Sequence, residues 1–243
     1  MKKIITPYVN CNETKKNQII KMFDEISKTY DILNRIISLG IDCFWRRKIY
    51  EIIKKFKHEF ILDIATGTGD LIIELSKLEA KKIIGIDISP KMLEIGVEKL
   101  KKKGLSKKIT MLLGDSENLQ FEDQSFDVIT VAFGVRNFEN LDKALNEIKR
   151  VLKPSGILII LETAIPKNKI ARLTYNLYTK FIMPVIGFIF SKKFYAYNYL
   201  SKSAEVFPYG KSFNNILKKN GFIDVEDSPQ TLGVASIYFA KKT

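Results

Sequence analysis

Four carboxylates gather around one glycine-rich turn of this chain. Asp63 and Asp70 bracket Thr66-Gly67-Thr68-Gly69, Asp87 closes the next apolar run, and Asp115 closes the one after it. The turn follows Phe60-Ile61-Leu62 and precedes Leu71-Ile72-Ile73-Glu74-Leu75, so it joins a strand to a helix as a nucleotide-binding unit does. The acids narrow the nucleotide. A pyrophosphate seeks free N–H groups and positive charge. Carboxylates favour cations and hydroxyls, and at about 4 Å a pair of opposite charges is worth several kcal/mol at intermediate dielectric. S-adenosylmethionine carries a sulfonium, an ammonium and a ribose diol, and no phosphate. In that reading Asp87 accepts both ribose hydroxyls and Asp115 faces the adenine amino group. A dinucleotide is the weaker alternative. Helix capping and strand ending account for Asp70 or Asp87 singly, but not for acids repeated at strand C-terminal ends, where open α/β sheets bind ligands.

A second group with chemical potential follows the fourth apolar run, Phe126 to Phe133, in Gly134-Val135-Arg136-Asn137-Phe138. A fixed cation and an amide at the ligand edge suit an oxygen that develops negative charge. The competing reading pairs Arg136 with Glu139, Asp142 or Glu162 on the surface, and position alone does not choose between them. The single histidine, His58, sits in a lysine-rich stretch and reads as a solvated loop residue, so no Ser-His-Asp or Cys-His set can be built. Cys11 and Cys43 cannot make a metal site between them, and no metal is expected.

These residues need a scaffold. The chain has 243 residues, 46% of them hydrophobic, which suits one domain with a sizeable core. From Phe60 onward strand and helix patterns alternate. Strands are expected at 60–65, 83–87, 109–114, 126–133 and 157–163, and helices at 70–78, 90–103 and 141–152. A helix near 211–219 and strands near 223–228 and 234–241 then imply an antiparallel edge hairpin. The expected fold is α/β, a doubly wound Rossmann-like sheet of seven strands. Its parts are a polar tail (1–16), a helical cap (17–57), a cofactor-binding core (58–164), an inserted aromatic lid (165–207) and a C-terminal helix and hairpin (208–243). The lid mixes Tyr175, Tyr178, Phe181, Met183-Pro184, Phe188, Phe190, Tyr195, Tyr197 and Tyr199 with Lys180, Lys192, Lys193 and Lys202, a composition fit to cover a greasy substrate.

The net charge of +13 permits a nucleic acid, an anionic membrane surface or neither. No RNA-binding module is evident, and no nucleic acid partner is expected. The longest apolar stretch, 181–190, falls short of the roughly 20 residues that span a bilayer. With no secretory leader, a cytoplasmic location is expected.

The chain resembles the quinone C-methyltransferases of menaquinone and ubiquinone biosynthesis, within the class I S-adenosylmethionine-dependent methyltransferases. The resemblance covers about residues 17–241. It rests on Met22-Phe23-Asp24, Lys28-Thr29-Tyr30-Asp31-Ile32-Leu33-Asn34, Ser38-Leu39-Gly40-Ile41 and Trp45-Arg46-Arg47, then on Asp63–Asp70, Asp87-Ile88-Ser89-Pro90 and Phe133-Gly134-Val135-Arg136-Asn137. Tyr197-Asn198-Tyr199-Leu200, Phe207-Pro208 and Leu232-Gly233-Val234-Ala235 continue it. The resemblance implies methyl transfer from S-adenosylmethionine to a ring carbon of a prenylated quinol, with no metal. The alternatives are a ubiquinone precursor in place of demethylmenaquinol, an RNA methyltransferase, or a non-catalytic lipid carrier. It also implies Thr68, Asp87, Asp115, Ser116 and Ala132 around the cofactor, alongside Asp63, Thr66, Gly67, Gly69, Asp70 and Ile88 of the turn and second strand. Arg136 and Asn137 would face the quinol, and Tyr30, Tyr178 and Tyr199 are candidate ring contacts. Peripheral contact with the inner face of the membrane and a homodimer are further expectations. Two positions depart from the family pattern, which has histidine where this chain has Asp42 and Tyr238.

Overall fold

The computed structural model describes residues 5–8, 11–182, 185–186 and 193–243. Met183, Pro184, Phe188, Phe190 and Lys192 of the expected lid lie outside the described residues. The elements run α1 (Lys15–Ile37), α2 (Ile41–Ile53), β1 (Phe60–Ile64), α3 (Asp70–Leu75), β2 (Lys82–Asp87), α4 (Pro90–Lys102), β3 (Ile109–Leu113) and β4 (Phe126–Ala132). After a 3-10 turn (Val135–Asn137) come α5 (Leu141–Val151), β5 (Leu152–Thr163) and α6 (Lys169–Leu177), which continues as a π turn (Tyr178–Ile182). The last described elements are α7 (Phe194–Val206), α8 (Lys211–Lys219), β6 (Phe222–Gln230) and β7 (Ala235–Lys242).

The seven strands lie in the order β3-β2-β1-β4-β5-β7-β6, and β7 runs antiparallel to both its neighbours. The central strands carry near-continuous apolar runs because helices cover both faces. Leu62, Ile129 and Leu158 face the side covered by α5 and α8, through Leu145, Ile148, Phe213 and Leu217. Their neighbours Ile61, Val128 and Ile157 face Ile49 and Ile53 of α2 and Leu71 and Leu75 of α3. A third core lies beyond the sheet edge, where Ile19, Met22 and Ile26 of α1 pack on Ala196, Tyr197 and Leu200 of α7. The cap and the lid are thus one packed roof.

Local chemistry explains most boundaries. Ser89 caps α4 by accepting from Met92 N–H, with Pro90 at the first helical position. Thr14 likewise accepts from Asn17 N–H, so α1 starts at Lys15, inside the stretch read as a polar tail. Residues 153–156, the gap between the expected helix at 141–152 and the expected strand at 157–163, form a bulge. Phe126 pairs with Leu152 and Val128 with Ile157, so residues 153–156 loop out of one long β5. Ser155 takes a left-handed φ of 60° there. That conformation costs a side-chain-bearing residue roughly 1–2 kcal/mol. Ser155→Gly is expected to raise the thermal midpoint by about 1–4 °C, read by differential scanning calorimetry, after subtracting glycine's entropy in the unfolded chain.

Candidate functional site

The C-terminal strand ends carry two adjoining cavities. The first is a narrow cleft of about 70 Å³ lined by Ile64, Ala65 and Gly67 after β1, Asp87 and Ile88 after β2, Asp115 and Ser116 after β3, and Ala132, Phe133 and Asn137 after β4. The second holds about 460 Å³ and lies under α1, α2, α6 and α7. Tyr30 and Phe133 line both and form the wall between them.

Backbone geometry sets the floor. Ala65 and Phe133 adopt left-handed φ values of 55° and 56° at the ends of β1 and β4, which turn the chain sharply across the sheet edge. Gly134 then passes so close that a Cβ on it would stand 2.5 Å from Ala65 Cβ and 3.0 Å from Val131 Cγ1. Gly134→Ala is expected to cost about 1–3 kcal/mol of stability. It should weaken cofactor binding in an equilibrium titration, because Ala65 Cβ, the atom it displaces, is fixed rigidly to the backbone of the floor.

The glycine loop holds its acids in distinct states. Asp87 accepts from Gly67 N–H through Oδ2 and from Ser89 N–H through Oδ1, both at 2.8 Å. Burial pushes its pKa up to about 6. Asp63, under the loop and 1% exposed, accepts from Thr130 Oγ1 at 2.6 Å, and burial pushes it up to about 7. Burial acts the same way on Asp70, but Arg46, Lys99 and Arg35 outweigh it and hold that carboxyl below its usual range. Lys99 Nζ lies 2.6 Å from both Asp70 and Asp31, and Thr68 donates to Asp31 at 2.5 Å, so α1 and α4 clamp the loop. Thr66 and Thr68 are buried beside Gly67 and Gly69, whose φ values of 56° and 81° a side chain would strain.

Asp115 is engaged from within the chain. Its Oδ2 accepts from Lys16 Nζ at 2.7 Å and its Oδ1 from Glu117 N–H at 2.9 Å. Lys15 next to it donates to the carbonyls of Arg136 and Phe138 at 3.0 and 2.8 Å, and burial lowers its pKa to about 8. The start of α1 therefore latches over the Asp115 end of the cleft.

Arg136 pairs with Glu162, one of the partners weighed from sequence, but the pair is buried rather than on the surface. Its Nη1 donates to Glu162 Oε1 at 2.6 Å and to Phe133 O at 2.9 Å, with side chains 8% and 0% exposed. Burial disfavours the guanidinium, yet Glu162 more than compensates and keeps its pKa above the ordinary value. Arg136 lines the large cavity, whereas Asn137 lines the cleft and accepts from Tyr199 Oη at 3.1 Å. Of the candidate ring contacts, Tyr30 and Tyr178 line the large cavity, and Tyr178 also donates to Ile37 O at 2.8 Å. Tyr199 sits one layer back, holding Asn137, and Tyr175 and Tyr197 line the cavity in its place. Both stand in the aromatic run, which supplies too many tyrosines for sequence to rank.

The two departures separate cleanly. Asp42 is buried at the large cavity, accepts from Ser38 Oγ at 2.6 Å and Arg35 at 3.1 Å, and pairs with Arg46. Tyr238 lines neither cavity; its Oη accepts from Gly210 N–H at 2.9 Å. His58 is a half-buried loop residue within 2.5 Å of Phe56 O. Among the described residues no three His, Cys, Asp or Glu side chains gather as a metal ion would require.

The sheet order, the acids at successive strand ends and the cleft between them define a Rossmann-like S-adenosylmethionine-dependent methyltransferase. A solved S-adenosylmethionine-dependent methyltransferase of Thermotoga maritima, titled a possible histamine N-methyltransferase, shares this fold with a TM-score of 0.65 at 19% identity, over 93% of this chain and 100% of that one. The chain belongs to the ubiE/COQ5 methyltransferase family, whose model matches residues 10–242. It is 44% identical over 239 residues to a demethylmenaquinone methyltransferase of Bacteroides fragilis, covering 98% of this chain and 97% of the relative. It is 40% identical to a ubiquinone/menaquinone biosynthesis C-methyltransferase of Geotalea daltonii, over 94% of this chain and 97% of that protein.

Proposed function

We propose that this methyltransferase acts on a ring carbon of a prenylated quinol, with demethylmenaquinol as its substrate. The observation that carries the reading is the large cavity: mostly apolar and aromatic, it abuts the cofactor cleft at Tyr30 and Phe133 and holds a buried arginine on its wall. The relatives' names supply the choice of quinol.

The residues of the cleft fit S-adenosylmethionine. Asp87 would take the ribose hydroxyls and Ile88, Ser116 and Ala132 the adenosine faces, while Asp63, buried beneath the glycine loop, adds negative field for the sulfonium and ammonium; Asp70 lies outside the cleft lining and is engaged by Lys99, Arg46 and Arg35. When bound, the cofactor supplies an electrophilic methyl group, which the quinol carbon takes as its ring proton leaves and S-adenosylhomocysteine is released. The chain's own task is alignment and exclusion of water, worth up to several kcal/mol. Arg136, kept cationic by Glu162, is no base; it stabilises negative charge on the ring oxygen beside the reacting carbon. Asn137 lines the cleft, its carbonyl oxygen accepting from Tyr199 Oη and its amide nitrogen donating to Phe133 O at 3.5 Å, so its part is to fix the strand-end wall beside the acceptor rather than to reach the ring. Tyr30 and Tyr175 stay protonated, since burial raises both, the latter to about 12.

The prenyl tail needs an exit to lipid. Leu39 and Leu232 line the large cavity yet are 78% and 82% exposed, which puts them at its mouth. Ile170, Leu173, Leu177 and Phe181 are exposed on successive turns of α6 and the π turn, among exposed Lys169, Arg172 and Lys180. No described helix is long and apolar enough to cross a membrane. This rim supports peripheral docking on an anionic bilayer, apolar contacts below and basic residues at the headgroups. Sedimentation with liposomes, with and without anionic lipid, tests it, and absence from both pellets overturns it. The substrate is tested by incubating labelled S-adenosylmethionine with reduced demethylmenaquinol, a reduced ubiquinone precursor or bulk tRNA. Label in the first product supports the reading, label only in the second reassigns the quinol, and label only in RNA discards it.

A further inference from the structure

The acids of the cleft account for the cationic and hydroxyl groups of S-adenosylmethionine, but its amino-acid end also carries a carboxylate. Of the buried or half-buried cations near the glycine loop and the cavity wall, Lys15 and Arg35 line neither cavity, and three of the other four are committed. Arg136 is bound to Glu162 and Phe133 O. Lys99 is shared between Asp31, Asp70 and Thr68. Lys16 lies at the opposite end of the cleft with Asp115 and Glu117.

Arg46 is the fourth. Its side chain is 11% exposed and lines the large cavity. One terminal nitrogen donates to Asp42; the other is ion-paired with Asp70 Oδ2 at 3.7 Å, beyond hydrogen-bond reach, so that among the described residues it makes no hydrogen bond. α2 is held there by Trp45, whose indole N–H donates to Thr231 at 2.9 Å, and by the buried Ile49 and Ile53. Asp70 directly follows Gly69, so Arg46 meets the glycine loop where a ligand lying from Asp115 past Asp87 and Gly67 would end. The charges around it are balanced, with Arg35, Arg46 and Lys99 against Asp31, Asp42 and Asp70. A zwitterion joins such a cluster without leaving a buried charge unmatched, while a lone anion or cation does not.

We infer that Arg46 receives the α-carboxylate of the cofactor, Asp42 fixing one edge of its guanidinium so that the other faces the ligand. This rests on S-adenosylmethionine as the methyl donor and is independent of which acceptor is methylated. The probes are S-adenosylmethionine and its decarboxylated form, which lacks only that carboxylate. Their dissociation constants are measured by calorimetry on the whole protein, without acceptor. Wild type is expected to bind the intact cofactor on the order of 100-fold more tightly. Arg46→Met should erase most of that preference while leaving the decarboxylated form's affinity within about threefold, and Arg46→Lys should restore part of it.

The outcomes separate the claims. If S-adenosylmethionine does not bind wild type, the cofactor reading fails. If wild type binds both probes equally, the carboxylate receptor fails alone, and no variant need fold to show it. Equal discrimination by wild type and Arg46→Met places the carboxylate elsewhere. Equal losses for both probes make Arg46 a structural residue, and an effect confined to acceptor KM makes it an acceptor contact. Each of those three overturns the inference.

Discussion

Arg136→Met is expected to abolish methyl transfer and to unfold the protein at a markedly lower temperature, and a second substitution should undo only the latter. The single change strands Glu162, which is 0% exposed, without its countercharge. Breaking a buried pair from one side costs about 3–5 kcal/mol. For a chain of this size that lowers the thermal midpoint by roughly 6–20 °C. Adding Glu162→Leu replaces the pair with apolar volume and should recover most of the loss, since buried pairs are often no more stabilising than hydrophobic side chains. Turnover should not recover. Losing a preorganised charge at a developing oxyanion costs on the order of 100- to 1000-fold in rate. Cofactor affinity should change little, because Arg136 lines the large cavity and not the cleft. Calorimetry, cofactor titration and turnover on the same two proteins check all three statements. An active double variant would sink the catalytic assignment, and an unshifted midpoint in the single variant would sink the dependence of Glu162 on Arg136.

The second large effect is on pH. Asp63 and Asp87 are raised by burial to about 7 and about 6. A cationic ligand prefers both carboxyls ionised, so cofactor affinity is expected to fall as pH drops through 7 and then 6, by about 100- to 1000-fold between pH 8 and pH 5. Binding at pH 6 should release protons, seen as a dependence of the calorimetric enthalpy on the buffer. The cofactor-free protein should respond in the opposite sense. Folded-state pKa values above the unfolded 3.8 mean that the native state holds extra protons between about 4 and 7. The stability these two groups contribute is complete below the unfolded value and is lost as pH rises through 6 and 7. Thermal midpoints with and without cofactor should therefore diverge as pH rises. Asp63→Asn should flatten the upper part of both curves, and an affinity constant from pH 8 to 5 would refute the titrations.

The sheet was readable from sequence because its strands are runs of buried apolar residues ended by acids, and local periodicity carries that information. The glycine turn and the cap of α4 are local too. Contacts between distant residues were not readable. Glu162 was one of three named partners for Arg136, and only the register of β5 beside β4 brings it under that side chain and buries it. Lys16 stands 99 positions from Asp115, and nothing in a polar N-terminal stretch announces that it folds back over a cleft. Arg46 belongs to a recognised motif, but its charge acquires a direction only when Trp45 anchors α2 to the β6–β7 link. The Ser155 bulge escaped because a left-handed serine within a strand resembles an ordinary turn before that strand.

The cleft floor is built from strand ends whose path is fixed by Ala65, Phe133 and Gly134. Of the residues around the large cavity, the strands themselves supply Thr163; nearly all the others come from α1, α2, α6, α7 and connecting segments. On the proposed reading, which puts the donor in the cleft and the acceptor in the large cavity, the two compartments are separable parts of the inheritance. Helices could then be exchanged, lengthened or redecorated to admit a different acceptor while the sheet edge stays as it is. A structural relative with 19% identity that keeps the fold across its whole length is what such a division of labour permits. For engineering, the walls of the large cavity are the place to vary and the three backbone positions of the floor are the place to leave alone.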